Sequence, residues 1–326
     1  MRRTPRSQLY QAEFCTNMTG FGMTLAVVIL TFNEERHISR ALASIAGLAT
    51  EVFVIDSFSS DRTVELARAQ GATVLQNKFI NYARQFQWAL DNAPITAPWI
   101  MRLDADEVIE ADLRATLRDA LPRLADDVVG INLKRKHIFL GRWIRRGGRY
   151  PLLLLRIWRR GRGRIEDRWM DEHMIVWGGC TVTFDGGFAD NNLNDLSFFI
   201  DKHNKYATRE AVDVINARRR LFRRDVDLVA EGGSRQAALK RWVKEKLYNR
   251  IPYQISTPLY FIYRMTVQLG FLDGKEGLVY HALQGFWYRF LVGAKIDELE
   301  AAIAGMDDPA LIRAELRRLT GLAIAP

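Results

Sequence analysis

The chain has 326 residues, 48% of them hydrophobic and 26% charged, with a formal net charge of +9. This length allows one α/β domain of about 200 to 250 residues with an appended region, and the apolar share excludes global disorder. Its two cysteines, Cys15 and Cys180, and five scattered histidines exclude a paired-cysteine metal site and a histidine zinc face, and they fit a reducing compartment.

No run of 18 apolar residues occurs and the first 22 residues lack an apolar signal core, so neither a transmembrane helix nor a secretory leader is expected. Residues 1–22 read as a flexible arm before Met23. From Leu25 short β-rich runs alternate with helical patterns, the mark of βαβ units and a mainly parallel sheet. LAVVIL (25–30) predicts a buried strand, 37–46 a helix, EVFVID a strand to Asp56, DRTVELARAQG a helix ended by Gly71, and TVLQ a strand. A helix over 80–92 leads to WIMRLD, a fourth strand ending at Asp104. Residues 130–182 read as irregular strands, 196–224 as helix, and 231–326 as a helical C-terminal region after a domain spanning 23–230.

In open α/β sheets ligands lie beyond the carboxyl ends of the strands, so the polar residues there are candidates for binding. They are Thr31, Asn33 and Glu34 after the first strand, Asp56 after the second, and Asp104 with Asp106 after the fourth. Asp104 and Asp106, spaced as Asp-Ala-Asp, suit a hard divalent cation, Mg²⁺ or Mn²⁺, which would neutralise a departing diphosphate. Asn33 and Glu34 can hydrogen-bond a base or ribose, or cap the following helix. Ser60 or Asp61 reads as a helix cap, and Asp56 as the better ligand.

These residues carry a resemblance. VVILTFNEERHI, VIDSFSSDRTVELA, a helix with Arg84 in NYARQFQWAL, and MRLDADEVI follow in an order that resembles family 2 glycosyltransferases over residues 24 to about 195. Within the family the likeness is to enzymes building lipopolysaccharide core or other bacterial surface glycans. The resemblance implies the Rossmann-like type A glycosyltransferase fold, α/β with a helical C-terminal region. It also implies a nucleotide-sugar donor (UDP-hexose preferred, with GDP- and dTDP-sugars open) and a glycan or lipid-linked acceptor. Thr31, Asn33, Glu34, Asp56, Arg84 and Asp104 are then the nucleotide-sugar residues, and Asp104 with Asp106 the metal residues. A catalytic carboxylate is implied some 65 to 100 residues further on, where RWMDEHMIVWGG offers Glu172 first and Asp171 second; here Asp precedes Glu, the reverse of the usual order. An inverting transfer needs such a base to take the acceptor hydroxyl's proton. Asp190 or Asp195 is the fallback.

Residues 134–168 hold thirteen Lys or Arg against two acids, while the rest of the chain is slightly acidic. Arg145, Arg146 and Arg149 in this zone can bind an acceptor's phosphate through guanidinium forks, or lie against anionic lipid. Nucleic acid is not expected as a partner, because no recognition motif accompanies the arginines. Two stripes suggest a helical pair on a membrane surface: Leu259, Ile262, Tyr263, Thr266 and Leu269, then Val279, Leu283, Phe286 and Phe290. Trp287, Tyr288, Arg289 and Lys295 are of headgroup-level types. A packed helical pair is the competing reading. Together these features place the protein in the cytoplasm, peripheral on the inner membrane. A sugar nucleotidyltransferase is disfavoured because TFNEE has no phosphate-binding glycine, and a non-catalytic anionic-lipid or nucleic-acid binder would leave the ordered acids unexplained.

Overall fold

The computed structural model describes residues 25–166, 173–222, 251–322 and 324. The expected N-terminal arm, residues 231–250, and the Asp171–Glu172 pair lie outside the described residues.

Strands β1 (Leu25–Thr31), β2 (Glu51–Asp56), β3 (Thr73–Gln76) and β4 (Trp99–Arg102) form a parallel array in the order β3-β2-β1-β4. β1 is apolar along its length because both of its faces are covered. Val27 and Ile29 meet Ile38, Leu42 and Ile45 of α1 (Ile38–Ile45), whereas Ala26 and Val28 meet Ala83, Phe86 and Ala89 of α3 (Tyr82–Asn92). Between these helices, α2 (Thr63–Ala69) returns the chain to β3. Each Val, Leu or Ile so buried is worth about 1.5–3 kcal/mol over exposure.

The sheet continues through β8 (Leu152–Arg159), β6 (Val128–Phe139), β11 (Cys180–Asn191) and β5 (Glu107–Ile109), with β7 (Arg142–Ile144) beside β6. β8 runs antiparallel to both β4 and β6, so β6 points the same way as β4, and β11 is parallel to β6. The carboxyl ends of β1, β2, β4, β6 and β11 therefore share one edge. α4 (Ala111–Ala120) follows β5, and β9 (Gly163–Ile165) pairs with β10 (Met174–Val176) in a separate ribbon.

α5 (Leu196–Arg219) begins with Asp195 accepting a hydrogen bond from the Phe198 N–H at 2.9 Å. Asp195, a fallback base in the sequence reading, is thus the N-cap of this helix. α5 shares a core with the end of the chain: Ala211, Val212 and Ile215 pack with Leu299, Ile303, Ile312 and Leu316. The helical C-terminal region consists of α6 (Tyr253–Met265), α7 (Gly274–Tyr280), a π-helical segment (His281–Trp287), α8 (Tyr288–Ala302) and α9 (Pro309–Thr320). No described helix is long and apolar enough to cross a membrane.

The second apolar stripe is divided. Val279 and Leu283 pack on Phe139 and Ile144, while Phe286 and Phe290 stay exposed. The hydroxyl of Tyr288 donates to Glu210 at 2.6 Å, tying α8 to α5.

His281 is fully buried with neither ring nitrogen hydrogen-bonded. Gly147, at φ +63°, admits the ring, for a Cβ there would lie 2.2 Å from His281 Cε1. Burial, with Arg264 and Arg149 adding their charge, pushes the imidazole down to about 3, although Asp273 Oδ2 stands 3.9 Å from Nε2. The unfolded chain then binds a proton below about pH 6.5 that the folded chain refuses. The contribution of His281 is whole above that pH and is lost as the pH falls toward 3. Urea titrations from pH 7 to 4 should show a shallower loss of stability in His281→Asn than in the parent, by about one proton. Equal slopes would show that this ring does not govern the acid limb.

Candidate active site

The first loop is built around Asp56, which is fully buried. Its carboxylate accepts from Thr31 Oγ1 at 3.1 Å, from Ser59 N–H at 2.9 Å, from Ser59 Oγ at 2.5 Å and from Gln76 Nε2 at 3.0 Å. Read from the sequence as a ligand, Asp56 here ties three strand ends together, and a ligand would have to displace one of these donors. Asn33 takes a left-handed conformation, φ 56°, accepts from the Ser60 N–H at 2.9 Å, and sends its own N–H to Ser59 Oγ at 2.8 Å. The N-cap of α2 is Arg62, not Ser60 or Asp61 as expected; Asp61, one residue earlier, accepts from the N–H groups of Thr63 and Glu35. The Glu34 N–H donates to Thr63 Oγ1 at 2.7 Å, and its carboxylate meets His37 Nδ1 at 2.6 Å. The other nitrogen of His37 accepts from the Leu193 N–H at 2.8 Å, joining the first loop to the chain beyond β11. Arg84 is exposed on the first turn of α3, and its N–H donates to Asn81 at 2.7 Å.

Beyond β4 the two expected metal residues occupy unlike surroundings. Asp104 accepts from the Tyr82 hydroxyl at 2.5 Å and from Arg156 at 3.1 Å, with Arg102 Nε at 3.5 Å. Burial works against its charge, but Arg156 and Arg102 overcome that and hold the carboxyl well below the usual range. Arg156, 3% exposed, also donates to Glu107 at 2.5 Å, and Glu107 accepts from the Asp104 N–H at 2.9 Å. Burial pushes Glu107 up to about 8 against the pull of Arg156. Much of the arginine zone's charge at this point is therefore consumed inside the fold.

Among the described residues Asp106 has no hydrogen-bonded arginine, although it feels the charges of Arg40 and Lys202. Asn192 donates to it at 2.9 Å, and its backbone carbonyl accepts from the Asn191 N–H at 3.0 Å. Burial, then the charge of Asp190, push its carboxyl up. Asp190 lies opposite Glu107 in the β11–β5 register. It faces His137 Nδ1 at 3.1 Å and Arg135 at 3.5 Å. Burial opposes its ionisation, yet His137, Arg135 and Lys202 hold it well below the usual range. The Lys202 ammonium is raised despite its burial, by Tyr206, Asp106, Asp190 and Glu34. Sequence reasoning missed Tyr82, Arg102, Arg156, Glu107, His137 and Lys202, and had Asp190 only in reserve.

The donor set fits a divalent cation at Asp106. It is a hard oxygen ligand beside a second carboxylate, Asp190, with Lys202 as the nearby cation, whereas both oxygens of Asp104 already have donors. Among the described residues no group of three or more acids, histidines or cysteines gathers into a ready-made cage. A cation bound here would therefore complete its shell with donor oxygens or water.

Arg145 and Arg146 do not reach this cluster. Both are exposed, Arg145 lying over the Trp143 ring at 4.5 Å and the Arg146 N–H donating to Asp273 at 2.8 Å. Arg149 sits over the Tyr280 ring at 5.4 Å, and that ring meets His137 at 4.8 Å with its plane tilted by 48°.

The lipopolysaccharide core biosynthesis glycosyltransferase LpsC of Rhizobium meliloti is 26% identical over 286 residues, covering 86% of this chain and 94% of its own. An uncharacterized glycosyltransferase of Rickettsia typhi is 33% identical over 90 residues, 28% of this chain and 30% of its own. A crystal structure of glucosyl-3-phosphoglycerate synthase from Mycobacterium tuberculosis, in complex with Mn²⁺, uridine diphosphate and glucosyl-3-phosphoglycerate, aligns at 21% identity with a TM-score of 0.31. That alignment covers 35% of this chain and 45% of the solved one, too little to bear on ligands. The profile of glycosyl transferase family 2 matches residues 26–191, from β1 to the last residue of β11, and so takes in every strand end that meets at Asp56, Asp104, Asp106 and Asp190. With half the chain matched and the acids gathered at one edge of its sheet, the protein belongs to glycosyl transferase family 2.

Proposed function

We propose that the protein transfers a hexose from a nucleotide-sugar donor, UDP-hexose first, to a glycan or lipid-linked glycan of the bacterial cell surface, inverting the anomeric centre. The observation that supports this best is that Thr31, Asp56, Asp104, Asp106 and Asp190 all lie at or just beyond the carboxyl ends of β1, β2, β4 and β11, along one edge of the sheet. Likeness to LpsC along most of both chains supports lipopolysaccharide core as the acceptor class.

In this reading Asn33, Glu34 and the polar loop after β2 face the nucleoside, Asp104 anchors the sugar or ribose, and Asp106 holds Mg²⁺ or Mn²⁺. When bound, the cation would neutralise the diphosphate as it leaves. The acceptor oxygen attacks the anomeric carbon, the bond from that carbon to the diphosphate oxygen breaks, and its electron pair leaves with the nucleoside diphosphate. The hydroxyl proton passes to a carboxylate, Glu172 first and Asp171 second. The buried Arg156–Asp104–Glu107 network fixes the acidic turn in advance of binding, so less order has to be gained on the way to the transition state.

Thermal unfolding with a panel of nucleotide sugars tests the donor. A site occupied at 100 times its dissociation constant gains about 2.7 kcal/mol. A UDP-sugar is expected to raise the midpoint with Mn²⁺ or Mg²⁺ and to lose that rise under chelation. A metal-dependent rise with GDP- or dTDP-sugars alone would reassign the base, and no rise with any of them would overturn the donor reading.

A further inference from the structure

α6 is packed inside out. Its buried side carries Ser256, Thr257 and Arg264, at 4, 1 and 1% exposure, while Ile255, Leu259, Ile262 and Tyr263 stand 54, 56, 53 and 45% exposed. Those four positions form one helical stripe. On the polar side Arg264 donates through Nε to Gly147 O at 3.0 Å and through Nη1 to Gln284 at 2.6 Å, while its Nη2 is buried without a hydrogen-bond partner among the described residues. In water such a helix would turn the other way, since the exposed stripe forfeits the burial that usually holds a helix to its domain.

The apolar surface continues past the helix through Val267, 69% exposed, and through Phe271 and Leu272. Beside it the Arg145–Gly148 loop is fastened to the same turn, with Gly147 N–H donating to Gln268 O at 3.0 Å and Arg146 N–H to Asp273 at 2.8 Å. Arg142, Arg145, Arg146 and Lys275 are exposed along this border. An apolar band bordered by cations matches the chemistry of an anionic bilayer, whose acyl boundary takes the side chains and whose phosphates take the charges. A second copy of the chain fits it poorly, because a two-fold contact would bring this basic border against itself. The surface also stands on the active side of the sheet: Phe139, at the carboxyl end of β6, packs on Tyr280, and His137 two residues earlier faces Asp190.

We infer that α6 and the turn after it dock on an anionic lipid bilayer, with Arg142, Arg145, Arg146 and Lys275 at the headgroups. The inference deepens the lipid-linked acceptor reading, by bringing the active edge to the lipid surface, but its test requires no turnover.

The test is co-sedimentation of the full chain with vesicles of phosphatidylglycerol and phosphatidylethanolamine, and with phosphatidylcholine vesicles as the neutral control. The parent should bind the anionic vesicles in a salt-sensitive way. Leu259→Asp with Val267→Asp should weaken that binding at least about tenfold, with unchanged circular dichroism and unchanged donor-induced stabilisation. Arg145→Glu with Arg146→Glu should reduce the parent's preference for anionic over neutral vesicles. Val267→Asp alone, at the most exposed of these positions, gives the same reading should the pair misfold. A parent that binds no vesicles, or an aspartate variant that binds as well as the parent, would overturn the inference. So would a parent dimer that Val267→Asp converts to monomer without any vesicle binding, which would make the face a self-interface. Failure of every nucleotide sugar to stabilise the protein would count against the donor reading and leave the vesicle result standing.

Discussion

Asp106→Asn is expected to lower sugar transfer by at least about 10²-fold, since a bound cation supplies several kcal/mol of charge stabilisation in such displacements. The fold should be unharmed. Among the described residues its side-chain donor is Asn192, which can still donate to an amide oxygen, while Arg40 and Lys202, which feel its charge, keep Asn191 O and Asp190 as partners. Burial and the charge of Asp190 work against its ionisation while Lys202 and Asn192 favour it, so neutralising it should leave the thermal midpoint nearly level. The Mn²⁺-dependent stabilisation by donor should disappear. Asp104→Asn should behave otherwise, because it removes the counter-charge of Arg156 and Arg102 in a buried network and therefore loses stability together with activity. Transfer by Asp106→Asn at the parent's rate under chelation would remove the metal from this site.

The two aspartates could be found in the sequence, but the difference between them could not. Strand and helix signals are local, and β1, α1, β2, α2, β3 and α3 fall within two residues of their expected bounds. β4 stops at Arg102 instead of Asp104 because the Asp104 N–H is taken by Glu107, outside the ladder. β5 was not foreseen, since three residues carry no periodic signal and its partner, β11, lies some 80 residues away. The same distance hides the network. Asp104 is held by Tyr82 and Arg156, 22 and 52 positions off, and nothing in LLLLRIWRR marks Arg156 as the internal member of a run that reads as a basic surface. The stripe over 279–290 fails for a different reason. A π-helical segment from His281 to Trp287 changes the angular step between side chains, so positions aligned at 3.6 residues per turn part company, Val279 and Leu283 inward and Phe286 and Phe290 outward.

The acceptor base is where chemistry can be separated from binding. Asp171 and Glu172 fall between Glu166 and His173, which close the described β9–β10 ribbon through a 2.9 Å bond from Glu166 N–H to His173 O. Glu172→Gln keeps size and hydrogen bonding but cannot take a proton, so the transition state should suffer while donor affinity does not. A fall in turnover of about 10²- to 10⁴-fold is expected, with a nearly unchanged donor dissociation constant and a smaller effect for Asp171→Asn. Reversed effects would make Asp171 the base. If neither lowers turnover tenfold, Asp190 or Asp195 becomes the next candidate, and the Asp190 variant has a second signature. Asp190→Asn leaves Arg135 and His137 without their shared counter-ion, so it should cost stability as well as rate, which a base acting only on the acceptor would not. Product with an inverted anomeric centre would agree with a single displacement assisted by such a base. A retained centre would remove the need for one, and Glu172→Gln would then be expected to turn over near the parent's rate.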